Sequence, residues 1–146
     1  MSDSVSRPNI VVLETFGGDD RKVISDTLTI YNEKAAGPSG LQPLVISIQD
    51  PQTGEKLGGL LGRTLYGWLV IELVGVPEKY RGQNIGTEIV KQAEDIARAR
   101  GCKGAWVDTY AFQAPGFYEK LGFTRFGTIE GHPPGSSRVF LKKEFA

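Results

Sequence analysis

The stretch Val76-Pro77-Glu78-Lys79-Tyr80-Arg81-Gly82-Gln83-Asn84-Ile85-Gly86-Thr87 constrains this chain more than any other. It follows a long apolar run, Trp68 to Val74, and opens into an amphipathic segment that ends near Gly101. An apolar run of that length reads as a strand, and apolar residues recurring every three or four positions read as a helix. The first N–H groups of a helix lack intrahelical acceptors and lie at the positive end of its dipole. A strand, a basic glycine-bearing turn and a helix start, in that order, therefore make an anion cradle.

The rest of the chain supplies a mixed sheet around that unit. Residues 1–8 are polar and read as a flexible N-terminus. Asn9-Ile10-Val11-Val12-Leu13-Glu14-Thr15 is a β-branched run that predicts a first strand. Asp19 and Asp20 are placed to cap a helix over 20–35, whose Val23, Ile24, Leu28 and Tyr31 recur near helical period. Leu44, Ile46 and Ile48 alternate with Val45, Ser47 and Gln49, as in a strand. Strands over 56–65 and 67–76 follow, joined at Tyr66-Gly67, and glycines 58, 59 and 62 predict a bulge or a close backbone approach. These three consecutive strands read as an antiparallel meander.

From Asn84 onward Ile85, Ile89, Ala93, Ile96 and Ala97 fall on one helical face, and Glu94 and Arg98 pair on the other. Gly101 fits the position just past the helix end. The next strand, residues 105–109, is reached by this crossover and is expected parallel to the one before it. Pro115 to Leu121 predicts a short helix, and 123–130 with 137–143 a final hairpin across His132-Pro133-Pro134-Gly135. The expected fold is α/β (α+β): a mixed, mostly antiparallel twisted sheet of about six or seven strands with flanking helices, in one domain over 9–146.

Composition serves mainly to exclude. Seventeen basic residues balance 17 acidic ones, so no overall field draws the chain to nucleic acid or to a membrane surface. One cysteine and one histidine cannot supply the three or four ligands of a zinc site, so no metal is expected. No signal-peptide pattern and no apolar run of about 20 residues is visible, which makes the cytoplasm the expected location. The turn also lacks the Gly-Lys-Ser/Thr ending of a nucleotide-binding phosphate loop.

Arg81-Gly82-Gln83-Asn84-Ile85-Gly86 is followed about thirty residues later by Phe117-Tyr118-Glu119-Lys120-Leu121-Gly122-Phe123. This pair of motifs resembles the GNAT family of acyl-CoA-dependent N-acyltransferases. That family's phosphate loop runs Arg/Gln-x-x-Gly-x-Gly/Ala, and its later signature, Ala-x-x-x-Tyr-x-Lys-x-Gly-Phe, is matched by Ala114, Tyr118, Lys120, Gly122 and Phe123. One position departs: the family's first loop glycine is Asn84 here. Asparagine tolerates a left-handed backbone, and its side chain could bind phosphate or cap the helix.

The resemblance implies a fold, an acetyl-CoA donor and a set of roles. Val74, Gly75 and Val76 would lie along the pantetheine arm, the backbone groups of Val74 and Val76 pairing with it like an added strand. Amides of Gly82, Gln83, Asn84, Ile85, Gly86 and Thr87 would hold the diphosphate, with Arg81 adding charge. Tyr118 would be the general acid that protonates the leaving thiolate; the alternative is an aromatic packed beside the pantetheine.

The acceptor would be a primary amine on a small molecule or peptide. An alkyl amine with a pKa near 10 is neutral in only about one molecule in a thousand at pH 7, a handicap of about 4 kcal/mol. Glu72, on the strand leading into the loop, is the candidate base, with a solvated or hydrogen-bonded carboxylate as its alternative and Asp108 as a second choice. An aromatic amine would need no base. Tyr110, Phe112 and His132 are candidate acceptor contacts, although aromatics at 68, 106, 110 and 112 also read as core and His132 also reads as a plain turn. Strand edges and the C-terminal hairpin are the surfaces on which a homodimer would form. A different class of reading keeps the fold but not the chemistry: an acyl-CoA-binding regulatory or sensor module.

Overall fold

A computed structural model describes residues 6–146. The chain divides into two compact units, Met1–Ser39 and Gly40–Ala146. The first holds helix α1, Asp20–Ala36, close to its predicted span. Its start differs from expectation. Asp19 occupies the N-cap but makes no side-chain cap bond, and Asp20 turns back so that its Oδ2 accepts the Gly17 N–H at 2.6 Å. Residues 9–15 form no strand, and Ile10, Val11, Val12 and Leu13 are exposed. Strand propensity measures fit to a pleated, half-buried surface, and a β-branched run without one does not become a strand.

The second unit carries a six-stranded sheet ordered β1-β2-β3-β4-β6-β5. Strands β1 (Gln42–Gln49), β2 (Lys56–Leu65) and β3 (Trp68–Gly75) form the expected antiparallel meander. Helix α2, Ile85–Ala99, crosses over to β4, Gly104–Tyr110, which pairs parallel to β3. Helix α3, Pro115–Lys120, starts on its proline, and the closing hairpin is β5, Thr124–Glu130, with β6, Ser137–Glu144. The glycines of β2 do what their number suggested. A Cβ on Gly58 would stand 2.3 Å from the Gly75 carbonyl oxygen, one on Gly62 2.5 Å from that of Val70, and Gly59 has φ +144°.

Helix α2 packs on the face of the sheet that presents Leu44, Leu60, Leu69, Ile71, Val107 and Leu141, with Ile89, Val90, Ala93, Glu94 and Ala97 as its buried stripe. Ile96, expected on that stripe, is 37% exposed. Glu94, expected on the solvent face, is buried. Its Oε1 lies 2.7 Å from Lys143 Nζ of β6, nearer than the 3.8 Å to Arg98, while its Oε2 has no hydrogen-bond partner. Positions 90, 94 and 97 complete the helical arc begun by 89 and 93, so a carboxylate enters the core, where it requires a paired cation. Trp68 and Trp106 are half-buried and Phe112 is 66% exposed, so the core reading fails for Phe112 and holds only in part for the tryptophans. Among the described residues no helix is long and apolar enough to cross a membrane.

Candidate active site

The site begins with an irregularity in β3. Leu61 pairs with Leu73 and Gly62 with Ile71, so Glu72 is an extra residue, a β-bulge. Bulges bend a strand and re-aim its side chains. The parallel ladder to β4 stops at the same point, with Ile71↔Val107 as its last pair. Beyond it β3 runs on through Val74 and Gly75 and β4 through Asp108 to Tyr110 without pairing to each other. The backbone of Val74 stays bonded to β2 on one side and lacks a strand partner on the other.

Two cavities open at this parting. The larger, about 780 Å³, is lined by Gly58, Val76, Arg81, Gly86 and Phe117 among others, and lies on the loop side. The smaller, about 220 Å³, is lined by Glu72, Asp108, Thr109, Tyr110 and Arg138. Val74, Gln113, Ala114 and Tyr118 line both.

On the loop side the chain passes through a 3-10 turn, Glu78–Tyr80, before entering α2. Gly82 has φ +82°, and Asn84, at the N-cap of α2, adopts the left-handed conformation with φ 61° and ψ 19°. Its side chain makes no cap bond. Asparagine stands at this position because it accepts the backbone that glycine takes freely. The amides of the first turn of α2 thus lack intrahelical acceptors beside a turn that carries Arg81, whose Nε donates to the Val76 carbonyl at 3.4 Å. Gly86 packs under α3: a Cβ there would lie 3.2 Å from Phe117 Cζ.

Tyr118 stands where the cavities meet. Its ring is 6% exposed and packs edge-on against Phe117 and Phe123 at centroid distances of 5.0 and 5.6 Å. Burial, and secondarily the negative charge of Asp108, push its phenol up to about 12. It is therefore protonated throughout the neutral range.

The smaller cavity has a charged rim. Glu72 accepts from Arg63 Nη1 of β2. Asp108 Oδ1 accepts from both Nε and Nη2 of Arg138, the former at 2.7 Å, and Arg138 Nη1 donates to the Tyr110 hydroxyl at 3.0 Å. The sequence-derived acceptor residues do come together. Tyr110 stacks on Phe112 at 5.3 Å and meets His132 edge-on at 5.2 Å. They do not share one cavity: Tyr110 lines the smaller, Phe112 the larger, and His132 neither. Gln113 fixes the turn after β4, its Oε1 accepting from Thr109 Oγ1 at 3.0 Å and from the Tyr110 N–H at 2.8 Å. Arg138 and Gln113 were invisible to sequence reasoning; the only available signal for Arg138 is its register opposite Tyr110.

The Acetyltransferase (GNAT) family profile matches residues 17–123, a span that includes the loop, the bulge and Tyr118. The chain belongs to the GNAT family. It is similar to the acetyltransferase Atu2258 of Agrobacterium fabrum (strain C58 / ATCC 33970), at 38% identity over 94% of this chain and 99% of that one. A blasticidin-S acetyltransferase of Streptomyces morookaense is 39% identical over 64% of this chain and 69% of its own length. A crystal structure from Agrobacterium tumefaciens superposes with TM-score 0.89 at 38% identity, covering 94% of this chain and 100% of the other. The fold is that of GNAT acetyltransferases, and the two cavities lie on either side of its parted strands.

Proposed function

We propose that this acetyltransferase moves acetyl from acetyl-CoA to a primary amine by direct attack within a ternary complex. The observation that carries the reading is the pair of cavities sharing Tyr118 and Val74 as a common wall. The larger takes the donor. Amides from Gly82 to Thr87 and the Arg81 guanidinium hold its diphosphate, and the backbone of Val74, Gly75 and Val76, on the side away from β2, holds the pantetheine arm. The smaller takes the acceptor, with Tyr110 in its wall and Phe112 and His132 packed against that ring outside it.

In the reaction the amine nitrogen bonds to the thioester carbonyl carbon, whose oxygen is polarised by backbone N–H near Val76. The C–S bond breaks and Tyr118, the general acid, donates its O–H to the departing sulfur. The proton lost by the amine passes to Glu72 or through water from it. The ion pair with Arg63 holds the Glu72 carboxylate at the rim of the smaller cavity, where it meets that proton. The name of the Streptomyces relative makes blasticidin S the first acceptor to try, within a panel of small amines and peptide N-termini. A homodimer through a strand edge or the C-terminal hairpin is part of the same reading.

Acetyl-CoA should raise the melting temperature, and Arg81→Glu should remove most of that rise. An unchanged melting curve at millimolar acetyl-CoA would sink the donor assignment. Release of CoA thiol with any amine in the panel separates an enzyme from an acyl-CoA sensor, which would bind acetyl-CoA and release nothing.

A further inference from the structure

Among the described side chains that line the smaller cavity Arg138 makes the most hydrogen bonds, and nothing in the reaction above employs it. Two of its nitrogens converge on one oxygen of Asp108, the third reaches the Tyr110 hydroxyl, and its guanidinium carbon lies 4.8 Å over the Tyr110 ring. It therefore holds a carboxylate and an aromatic ring of β4 at once, from the neighbouring strand. Both bonds to Asp108 fall on Oδ1, and Oδ2 accepts no hydrogen bond from the described residues.

The wider pattern gives this arrangement a direction. Across β2, β3, β4 and β6 the charges run Arg63, Glu72, Asp108, Arg138. The two carboxylates are the first residues past the last β3–β4 pair, so they flank the opening where the strands part, and both line the smaller cavity, as Arg138 does and Arg63 does not. The Asp108 oxygen that Arg138 leaves without a hydrogen bond is the acceptor that this wall offers to a cation. An arginine on each carboxylate orients it through a planar fork, which a lysine, a point charge, does less well.

We propose that Arg138 is the positioning residue of the acceptor half, holding Asp108 and Tyr110 so that the smaller cavity receives its acceptor as a protonated amine. The inference rests on the transferase reading and adds to it the charge state in which the acceptor is recognised. Recognition and attack are then separate steps: the ammonium docks against Asp108, and it passes a proton to Glu72 or through water to solvent before its nitrogen reaches the thioester. Acceptors that arrive neutral, aromatic amines among them, lose this docking contact.

The probe is n-butylammonium chloride, with n-butanol as the uncharged control of similar shape, read by the carboxyl carbon resonance of Asp108 in labelled protein and assigned through Asp108→Asn. Butylammonium should shift that resonance saturably and butanol should not. Arg138→Ala should weaken the butylammonium response about tenfold, or 1.4 kcal/mol, and Arg138→Lys should restore part of it. Both variants should keep the acetyl-CoA melting shift, which reports the donor half alone. An Asp108 resonance unmoved by butylammonium, or moved equally by butanol, overturns the proposal on the native protein without any variant. Undiminished response in Arg138→Ala overturns it too. Failure of acetyl-CoA to stabilise the native protein would instead strike the transferase reading.

Discussion

Replacing Tyr118 by phenylalanine removes one oxygen and leaves the ring between Phe117 and Phe123, so its effects can be read as those of the hydroxyl. In the native site burial and Asp108 raise the phenol from 10.0 to about 12. Against a thiol near 8.5, complete proton transfer is uphill by about 3.5 units, roughly 5 kcal/mol. In the proposed reaction Tyr118 would therefore act as a hydrogen-bond donor that stabilises sulfur as it leaves and completes the transfer late. That places the loss of turnover in Tyr118→Phe near the low end of general-acid effects, about a hundredfold. The acetyl-CoA melting shift should survive. The same elevation makes a second, independent forecast. A group whose folded pKa lies above its unfolded value contributes stability below the unfolded pKa and loses it as pH rises toward the folded one. Between pH 10 and 12 the native protein should therefore lose stability that the variant does not, about 2 kcal/mol by pH 11.5. Denaturant titrations of both proteins at pH 9 and 11.5, beside CoA thiol release at neutral pH, test both forecasts. Unaltered turnover would remove Tyr118 as the acid, and parallel stability curves would refute the buried, proton-retaining phenol.

Four further substitutions, at three positions, probe the donor side and the scaffold. Gly86→Ala puts a methyl 3.2 Å from Phe117 Cζ, so the fold should persist while acetyl-CoA affinity falls about tenfold, measured by calorimetry. Asn84→Gly should leave acetyl-CoA affinity within about threefold if backbone amides alone hold the diphosphate, whereas Asn84→Ala should cost about 1 kcal/mol of stability for its left-handed backbone; a large affinity loss in the glycine variant would assign the phosphate to the asparagine side chain. Lys143→Met strands the Glu94 carboxylate, 3% exposed, without its nearest cation, and should destabilise by about 3–5 kcal/mol in denaturant titration.

Local pattern was enough for the secondary elements of residues 20–144, because capping, turn glycines and periodicity are short-range signals. It failed where a residue's state depends on a distant partner. Residues 9–15 carry strand propensity and form no strand. Glu94 carries charge and is buried, since Lys143 approaches it from β6, 49 positions later in the chain. The glycines of β2 announced close contacts without saying with what, and the register supplied the carbonyls of Gly75, Ile46 and Val70.

The same distinction separates the two halves of the site. The proposed donor half is built from backbone: the left-handed turns at Gly82 and Asn84, the open first turn of α2 and the edge of β3 that pairs with no strand past its bulge. Backbone geometry needs particular residues at particular spacings, and a motif in the sequence is the trace of that need. The acceptor half is held by side chains. Glu72, Asp108, Tyr110 and Arg138 come from three strands, and their meeting is a consequence of the order β3-β4-β6, in which β6 is placed beside β4 by the closing hairpin. No spacing rule connects 72 with 138. Side chains there can be exchanged without disturbing the cradle, because the cradle does not use them. A chain built this way keeps one donor while its acceptor site changes, and the acceptor has to be read from charge and shape at the parted strands.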